Sequence, residues 1–187
     1  ERGLAHSGGE GPDERVRALR RALDGAGLAD DMSFALIASL VGLGAPHWRP
    51  EARAAISGMT FATGKAQLVR AALEAMAMQT RDLAQAFAAD GARWNRLRIA
   101  GGMSANDWMA QDLANVLALE VERPHFVETT ALGAAMLAAV GAGLHGSLAD
   151  AAAVMRGGTA RFVPDMAEAE RDGRVKAWEA ALAGVIG

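Results

Sequence analysis

Two adjacent glycines, Gly101 and Gly102, stand at the position in this sequence that is best suited to bind a ligand. Apolar and basic residues alternate over Asn95–Ala100, which predicts a strand that ends at the glycine pair. Ser104, with Asp107 three residues later, predicts the capped start of a helix. A glycine turn in this setting lets the backbone approach a ligand and turns helix N–H groups toward an anion. The pattern fits an ordinary tight turn equally well, so both interpretations stay open.

Two further features close to the glycine pair could contact the same ligand. Asn106, placed one turn into the predicted helix, could hydrogen-bond a base or face solvent. The segment Glu128–Met136 contains Gly133 and predicts a helix start with very little side-chain bulk on one face. Such a face allows close packing against another helix, which physics alone favours, or against a flat ligand.

Other patterns that imitate nucleotide or metal sites fail on spacing or context. Gly58–Ala66 ends in Gly-Lys-Ala, but it is one residue too long for a Walker A loop, and Ala66 replaces the Ser or Thr that would hold magnesium. Gly141–Gly146 spells GxGxxG after a predicted helix, so we interpret it as a helix C-cap and turn. The histidines lack metal-ligand spacing, so no metal site is predicted, and we expect them on the surface or in turns: His6, His47, His125 and His145.

No residue type or spacing identifies a catalytic base or nucleophile. The chain has no cysteine and no GxSxG motif. Most of its carboxylates are expected at helix caps or on polar helix faces, where they form no acid–base pair: Glu74, Asp82, Asp107, Asp112 and Glu128. We therefore predict no catalytic residue in this chain.

Length and composition limit the class of protein. The 187 residues are 51% hydrophobic with a formal net charge of -3, which suits one folded core and argues against disorder. Nineteen Lys and Arg against 22 Asp and Glu leave no basic surplus for nucleic acid. The apolar stretches Met32–Pro46 and Ala131–Leu144 are too short to span a membrane, and residues 1–21 lack the apolar core of a secretory signal. The absence of cysteine favours a cytoplasmic protein.

The elements that must position the glycine pair alternate between strands and helices, which predicts an α/β fold. Residues 1–13 are rich in glycine and are expected to form a loop or frayed arm. The long helix is expected to bury one apolar face, made of Ala66, Val69, Leu73, Met76, Thr80, Leu83 and Phe87, and to end at Gly91. Besides the strand before the glycine pair, the predicted strands are Phe34–Val41, possibly Ala54–Ser57, Leu119–Glu122, which Pro124 stops, and a strand remnant before the last helix. The other predicted helices are Val16–Leu23, Ser104–Leu117, Thr130–Val140 and Ser147–Met155. A final helix is opened by Asp165 and Glu168 and carries Val175, Trp178 and Leu182.

A series of motifs between Leu36 and Gly143 is far more specific in its order and spacing than any one motif alone. The motifs are GLGAPHW (42–48), RPEARAAISGMT (49–60), VRAALEAMAMQ (69–79), LRIAGGMSAN (97–106), QDL (111–113), VERP (121–124) and ETTALGAA (128–135). Together they resemble the C-terminal domain of the FGGY carbohydrate kinases, and the glycerol kinase branch fits best.

The resemblance implies an actin-like, ribonuclease-H-like ATPase fold, in which a mixed sheet is flanked by helices and two domains close around ATP, magnesium and a polyol or sugar. Residues 1–187 would be the C-terminal, nucleotide-side domain, and the N-terminal domain, which is absent, would hold most of the magnesium contacts. By position in the motifs, Gly102 and Asn106 would contact ATP or ADP, while Gly101 and Gly133 would shape the same site. The protein would act on a glycerol-like substrate and could be a homo-oligomer.

Departures from the family pattern affect what the resemblance implies about the substrate. Ala100 stands where many glycerol kinases have Asp, and His47 replaces a usual Tyr, which weakens the assignment of glycerol itself. A kinase of another sugar or polyol such as a pentulose, and a non-catalytic nucleotide-binding or structural module of the same fold, are the alternatives. The start at Glu1 instead of Met suggests a processed or excerpted chain. Because the family's catalytic base belongs to upstream sequence, we expect the isolated chain to lack kinase activity.

Overall fold

A computed structural model describes residues 35–39 and 41–187. The predicted arm over residues 1–13 and the predicted helix over Val16–Leu23 lie outside the described residues. The elements are β1 (Ala35–Ile37), β2 (Ala55–Ser57), α1 (Lys65–Ala89), β3 (Arg96–Arg98), a 3-10 turn (Gly102–Ala105), α2 (Asp107–Leu117), β4 (Glu120–Pro124), α3 (Thr129–Gly141), α4 (Leu148–Met155), β5 (Thr159–Phe162) and α5 (Glu168–Ile186). Their order in the described part of the chain confirms the predicted alternation of strands and helices.

The described strands form two sheets. In the larger sheet, the strand order is β3-β4-β5, with β3 parallel to β4 and β5 antiparallel to it. The smaller sheet pairs β1 with β2 in antiparallel fashion. The larger sheet is therefore mixed, as the family resemblance implies. Within the strand predicted over Phe34–Val41, the described strand covers only Ala35–Ile37. Pro124 does not stop β4 before it, as predicted, but is the last residue of that strand and pairs with Thr159. A proline is tolerated at the end of a strand because its missing N–H is not needed there.

Helix α1 buries a different face from the one predicted. Its buried residues are mostly four and three positions apart, and alanines dominate among them: Ala71, Ala75, Ala77, Met78 and Asp82. The larger residues of the predicted face are only partly buried, and Phe87 is 44% exposed. Helix α1 packs against α2, which also buries small side chains, Ala110 and Ala114. Small buried side chains allow packed helices to lie close together, which favours alanine inside over the larger residues of the predicted face.

The core forms where α1, α2 and α5 pack together with the strands. Its buried members lie in residues 37–121 and in the last helix: Ile37, Leu43, Ala52, Ala75, Ala77, Met78, Leu113, Ala114, Val116, Val121, Trp178 and Leu182. The prediction that α5 turns Trp178 and Leu182 inward is confirmed. Helix α5 begins at Glu168, as predicted, but Asp165 does not cap it: Ala167 is the N-cap, and the backbone N–H of Asp165 donates to Asn115 Oδ1 at 2.9 Å.

Helices α3 and α4 pack on each other at the surface. Helix α3 has no buried residue. The predicted cap of α4 is confirmed, because the Ser147 hydroxyl accepts from the Asp150 backbone N–H at 3.1 Å. The GxGxxG segment forms the predicted helix end and turn, with Gly143 at φ +73. Across residues 35–39 and 41–187, no helix combines the length and apolar character that a membrane span requires.

Candidate functional site

Strand β3, which leads into the glycine pair, is held to β4 by a buried carboxylate. Glu122 accepts from Arg96 Nη1 at 2.7 Å and from Arg98 Nε at 3.1 Å. Burial opposes ionisation of this carboxyl, but the two guanidinium groups hold its pKa below the usual range. The backbone N–H of Ile99 extends the pairing by donating to the Glu122 carbonyl at 2.9 Å. The two strands are thereby fixed together up to the edge of the candidate site.

The glycine turn, defined as Gly101–Asn106, connects β3 to α2. It begins at Gly101, whose φ of +88 favours glycine. The Gly101 carbonyl accepts two bonds from one residue, from Ser104 N at 3.0 Å and from Ser104 Oγ at 2.7 Å. Asn106 then closes the 3-10 segment by donating its backbone N–H to the Met103 carbonyl at 3.2 Å. The turn is thus a short hydrogen-bonded unit between a strand end and a helix start, as the sequence predicts.

The cap of α2 is Asn106 and not Ser104, so the predicted capping box with Asp107 was wrong. Asn106 Oδ1 accepts from the Met109 backbone N–H at 3.1 Å, and α2 begins at the next residue. Ser104 is buried within the 3-10 segment and uses its hydroxyl on the preceding turn. Asn106 therefore lies immediately before the helix instead of one turn into it.

The three glycines of the predicted site have open space where a side chain would stand. A Cβ atom built on Gly101, Gly102 or Gly133 would have no heavy atom within 4 Å outside its immediate chain neighbours. At Gly102 the backbone has no positive φ either, so neither its conformation nor its packing in the described structure requires glycine. Space of this kind beside an exposed backbone can admit a ligand.

The start of α3 lies next to the glycine turn. The Gly101 backbone N–H donates to the Val127 carbonyl at 2.8 Å, and Val127 precedes Glu128, the N-cap of α3. Gly133 follows in the second turn of this helix, half-buried. The fold therefore brings Gly101, Gly102 and Asn106 together in one turn and attaches the start of the helix that carries Gly133.

Arg123 of β4 contacts the glycine turn, although no sequence pattern predicts a role for it. Its Nη1 donates to the Ser104 carbonyl and its Nη2 to Asp107 Oδ1, both at 2.7 Å. Its place in the VERP motif (121–124) is the one sequence feature that marks it. Local sequence spacing cannot predict that its side chain bonds to Ser104, 19 residues earlier.

Three of the predicted surface carboxylates are instead partly or wholly buried. Asp82 accepts from Trp178 Nε1 at 2.8 Å and lies 3.1 Å from His47 Nε2, so His47 lies in a turn, as expected, but has a buried partner. Asp112 pairs with Arg174, and Glu74 lies beside both. These groups join helices and lie outside the glycine turn.

The described residues do not fit a protein-held magnesium site. Within the part of the chain that the structure describes, no three His, Asp or Glu side chains converge closely enough to hold a metal ion. Asp107, the acidic residue at the glycine turn, is paired with Arg123.

Comparison with curated proteins shows close relatives over most of the chain. It is 47% identical over 168 residues to a glycerol kinase of Rhodospirillum centenum, covering 90% of this chain and 33% of the relative. It is 43% identical over 154 residues to a glycerol kinase of Alteromonas mediterranea, covering 82% of this chain and 31% of the relative. The chain thus spans about a third of the length of these relatives.

Comparisons with solved structures and with family sequence models also find similarity to carbohydrate kinases. The crystal structure of Plasmodium falciparum glycerol kinase with ADP matches with a TM-score of 0.74 at 29% identity, covering 92% of this chain and 34% of that one. The fold class is therefore the actin-like, ribonuclease-H-like α/β fold that the motifs implied. Residues 13–142 match the C-terminal domain of the FGGY family of carbohydrate kinases, and the chain belongs to that family.

Proposed function

We propose that residues 1–187 form the nucleotide-side, C-terminal domain of an ATP-dependent kinase that transfers the γ-phosphoryl group to a hydroxyl of glycerol or a similar polyol. The observation that carries this proposal is the 47% identity to a glycerol kinase over 90% of the chain. The geometry of the glycine turn supports it, because the turn has an exposed backbone and open space beside Gly102. The lack of cysteine supports a place in the cytoplasm.

In this proposal, Gly101, Gly102, Asn106 and Gly133 bind ATP or ADP. Gly102 lets the nucleotide lie close to the backbone. Gly101 and Gly133 place no side chain in the space around it. Because Asn106 Oδ1 already accepts from Met109, the group that Asn106 offers to the nucleotide is its Nδ2 donor. The natural partners of such a donor are the oxygen and nitrogen acceptors of the ribose and base.

The remaining chemistry is assigned to the protein outside this chain. A base there would take the proton from the substrate hydroxyl as its oxygen attacks the γ-phosphorus and the bond to the β-phosphate oxygen breaks. Magnesium, held by the nucleotide and by groups outside this chain, would neutralise phosphate charge. Closure of the two domains would exclude water from the transfer. The relatives are about three times as long as this chain, which leaves room for a second domain.

The nucleotide role can be tested by titrating ADP into the isotope-labelled chain and following its NMR resonances. We expect ADP to shift the resonances of Gly102 and Asn106, and Gly102→Val to weaken binding by at least about tenfold, since the added side chain would fill the ligand space. Gly184→Val is the matched control, because Gly184 on α5 also has no heavy atom near a built Cβ. If millimolar ADP leaves both resonances unmoved, or both variants bind alike, the assignment of this turn is wrong.

The division of labour predicts that the isolated chain has no kinase activity. Incubation with ATP, magnesium and glycerol should yield no glycerol phosphate above the blank. Phosphorylation by this chain alone would contradict the placement of the base elsewhere.

Two alternatives are separated by simple measurements. A kinase of another sugar, such as a pentulose, would be revealed by a substrate panel on the longer protein, which would turn over that sugar faster than glycerol. A non-catalytic module of the same fold would bind ADP here without supporting transfer to any member of the panel. These alternatives are tested because His47 and Ala100 differ from the residues usual in glycerol kinases, which weakens the assignment of glycerol as the substrate.

A further inference from the structure

The guanidinium group of Arg123 bonds to residues on both sides of Asn106, one in the glycine turn and one at the start of α2. Nη1 donates to the Ser104 carbonyl and Nη2 to Asp107 Oδ1, each at 2.7 Å. Asn106 lies between these two anchor points in the chain. A rigid, planar donor pair therefore spans the residue whose amide is proposed to face the nucleotide.

The surroundings of Arg123 hold its guanidinium group in place. The side chain is only 16% exposed. Its Cζ lies 5.1 Å from the ring centroid of Phe162 on β5, a distance at which cation–π attraction adds to the hydrogen bonds. Because β4 pairs with β3 and with β5, the anchor of the turn is the centre of the sheet.

The glycine turn has few other supports from distant residues, and the bond from the Gly101 backbone N–H to the Val127 carbonyl holds only its first residue. Its internal bonds join neighbouring residues, and Met103, between Gly102 and Ser104, is exposed. Ser104 is buried, so water has little access to its carbonyl. If Arg123 were removed, this carbonyl would lose a charged donor that water could not easily replace. The conformation of the turn thus depends on a contact from a distant strand.

We propose that Arg123 is a positioning residue for nucleotide binding, which holds Gly102 and Asn106 in the arrangement that accepts ADP or ATP. The inference rests on the proposed function of the glycine turn. Arg123 acts through the turn, since both of its terminal nitrogens are engaged by Ser104 and Asp107. Its loss lets the turn sample other conformations, and binding must then restore the ordered one.

The test combines ADP titration with amide hydrogen exchange on the labelled 187-residue chain. Arg123→Met removes the donors but keeps an apolar stem against Phe162, and Arg123→Lys keeps the charge but not the planar fork. Arg161→Met is the matched control, because Arg161 lies on the neighbouring strand, paired with Glu122 in register, and makes only longer ion pairs of 3.6 and 3.7 Å.

We expect Arg123→Met to raise the Kd for ADP by about tenfold, as the loss of a charge-assisted bond predicts. Exchange of the Ser104 and Met109 amides, which report the two ends of the turn, should accelerate by a similar factor, while α1 amides stay unchanged. Arg123→Lys should recover part of both losses, and Arg161→Met should change neither.

Each contrary result has a distinct meaning. Unchanged affinity in Arg123→Met overturns the inference. Weaker binding with unchanged amide exchange also overturns it, since Arg123 would then touch the nucleotide directly. If the wild-type chain itself fails to bind ADP, the proposed function of the turn has failed, and amide exchange alone still shows whether Arg123 orders the turn.

Discussion

Two arginine side chains of this fold make similar bonds with different surroundings. Arg174 on α5 donates to both oxygens of Asp112 on α2, at 2.6 and 3.0 Å, and the side chains are 8% and 4% exposed. Arg123 divides its two bonds between a backbone carbonyl and Asp107, whose side chain is 50% exposed. The first arginine joins two core helices, whereas the second sets the shape of a surface turn. We therefore expect the loss of Arg174 contacts to affect stability and the loss of Arg123 contacts to affect ligand binding.

The surroundings of Arg174 form an interhelix charge cluster of Arg70, Glu74, Asp112 and Arg174. Glu74 Oε1 accepts from Arg70 Nε at 2.8 Å and lies 3.6 Å from Arg174 Nη2. Burial alone would lower the pKa of Arg174, but the hydrogen bonds and charge of Asp112 raise it above its usual value. Each member of the cluster has an opposite charge close by, which offsets part of the cost of burying its own charge.

The largest effect is expected when this cluster loses Asp112. In Asp112→Ala the buried guanidinium of Arg174 loses its bidentate partner, and the free energy of unfolding should fall by about 3 to 5 kcal/mol. Urea denaturation of the chain measures this. ADP affinity of the folded protein should stay within about twofold, since the glycine turn keeps its own bonds.

A double variant tests whether the unpaired charge causes that loss. Asp112→Leu combined with Arg174→Met removes both charges and fills similar volume, so it should be markedly more stable than Asp112→Ala. If the double variant is as unstable as the single one, packing around Asp112 matters more than its charge, and the contrast between the two arginines weakens.

A smaller change in stability is expected at the surface turn. Arg123→Met should lower the free energy of unfolding by only about 1 to 2 kcal/mol, because the charge that loses this partner, Asp107, is 50% exposed and water can solvate it. The same urea experiment measures it beside Asp112→Ala. A loss as large as that of Asp112→Ala would show that Arg123 supports the whole sheet and would break the comparison.

The sequence predicts the elements of this site well, but it does not predict their contacts. Alternation over Asn95–Ala100 and the glycines after it locate the strand and the turn correctly, because both depend on neighbouring residues. Ser104 and Asn106 are equally good cap residues two positions apart, so local rules cannot choose between them. Ser104 lies inside the turn, with its side chain buried and its carbonyl bound by Arg123, a residue of a later strand.

The buried face of α1 was missed for a related reason. Periodicity favours the stripe with the largest apolar residues, such as Leu73 and Met76, but the residues that α1 buries beside its partner helix α2 are mostly alanines. Which stripe lies inside depends on the shape of that partner, which no local pattern contains. The buried positions of Asp82 and Asp112 follow in the same way from tertiary partners, Trp178 and Arg174.

The smallest expected effect concerns the pH dependence contributed by Glu74. Burial is the largest influence on this carboxyl and raises its pKa above 4.5, against the opposing charges of Arg174 and Arg70. Because this pKa is higher in the folded than in the unfolded protein, folding is more favourable when the carboxyl is protonated. Its contribution to stability is thus fully present below pH 4.5 and is lost as the pH rises through the folded value.

Glu74→Gln imitates the protonated carboxyl at every pH and so tests this sign. We expect the variant and the wild type to have similar free energies of unfolding in acid, and the variant to become the more stable one as the pH rises toward neutrality. Urea denaturation at a series of pH values gives the difference between the two curves, in which the other titrating groups cancel. A difference of the opposite sign would mean that Arg70 and Arg174 outweigh burial, and that the interhelix charge cluster depends on the charge of Glu74 as it does on that of Asp112.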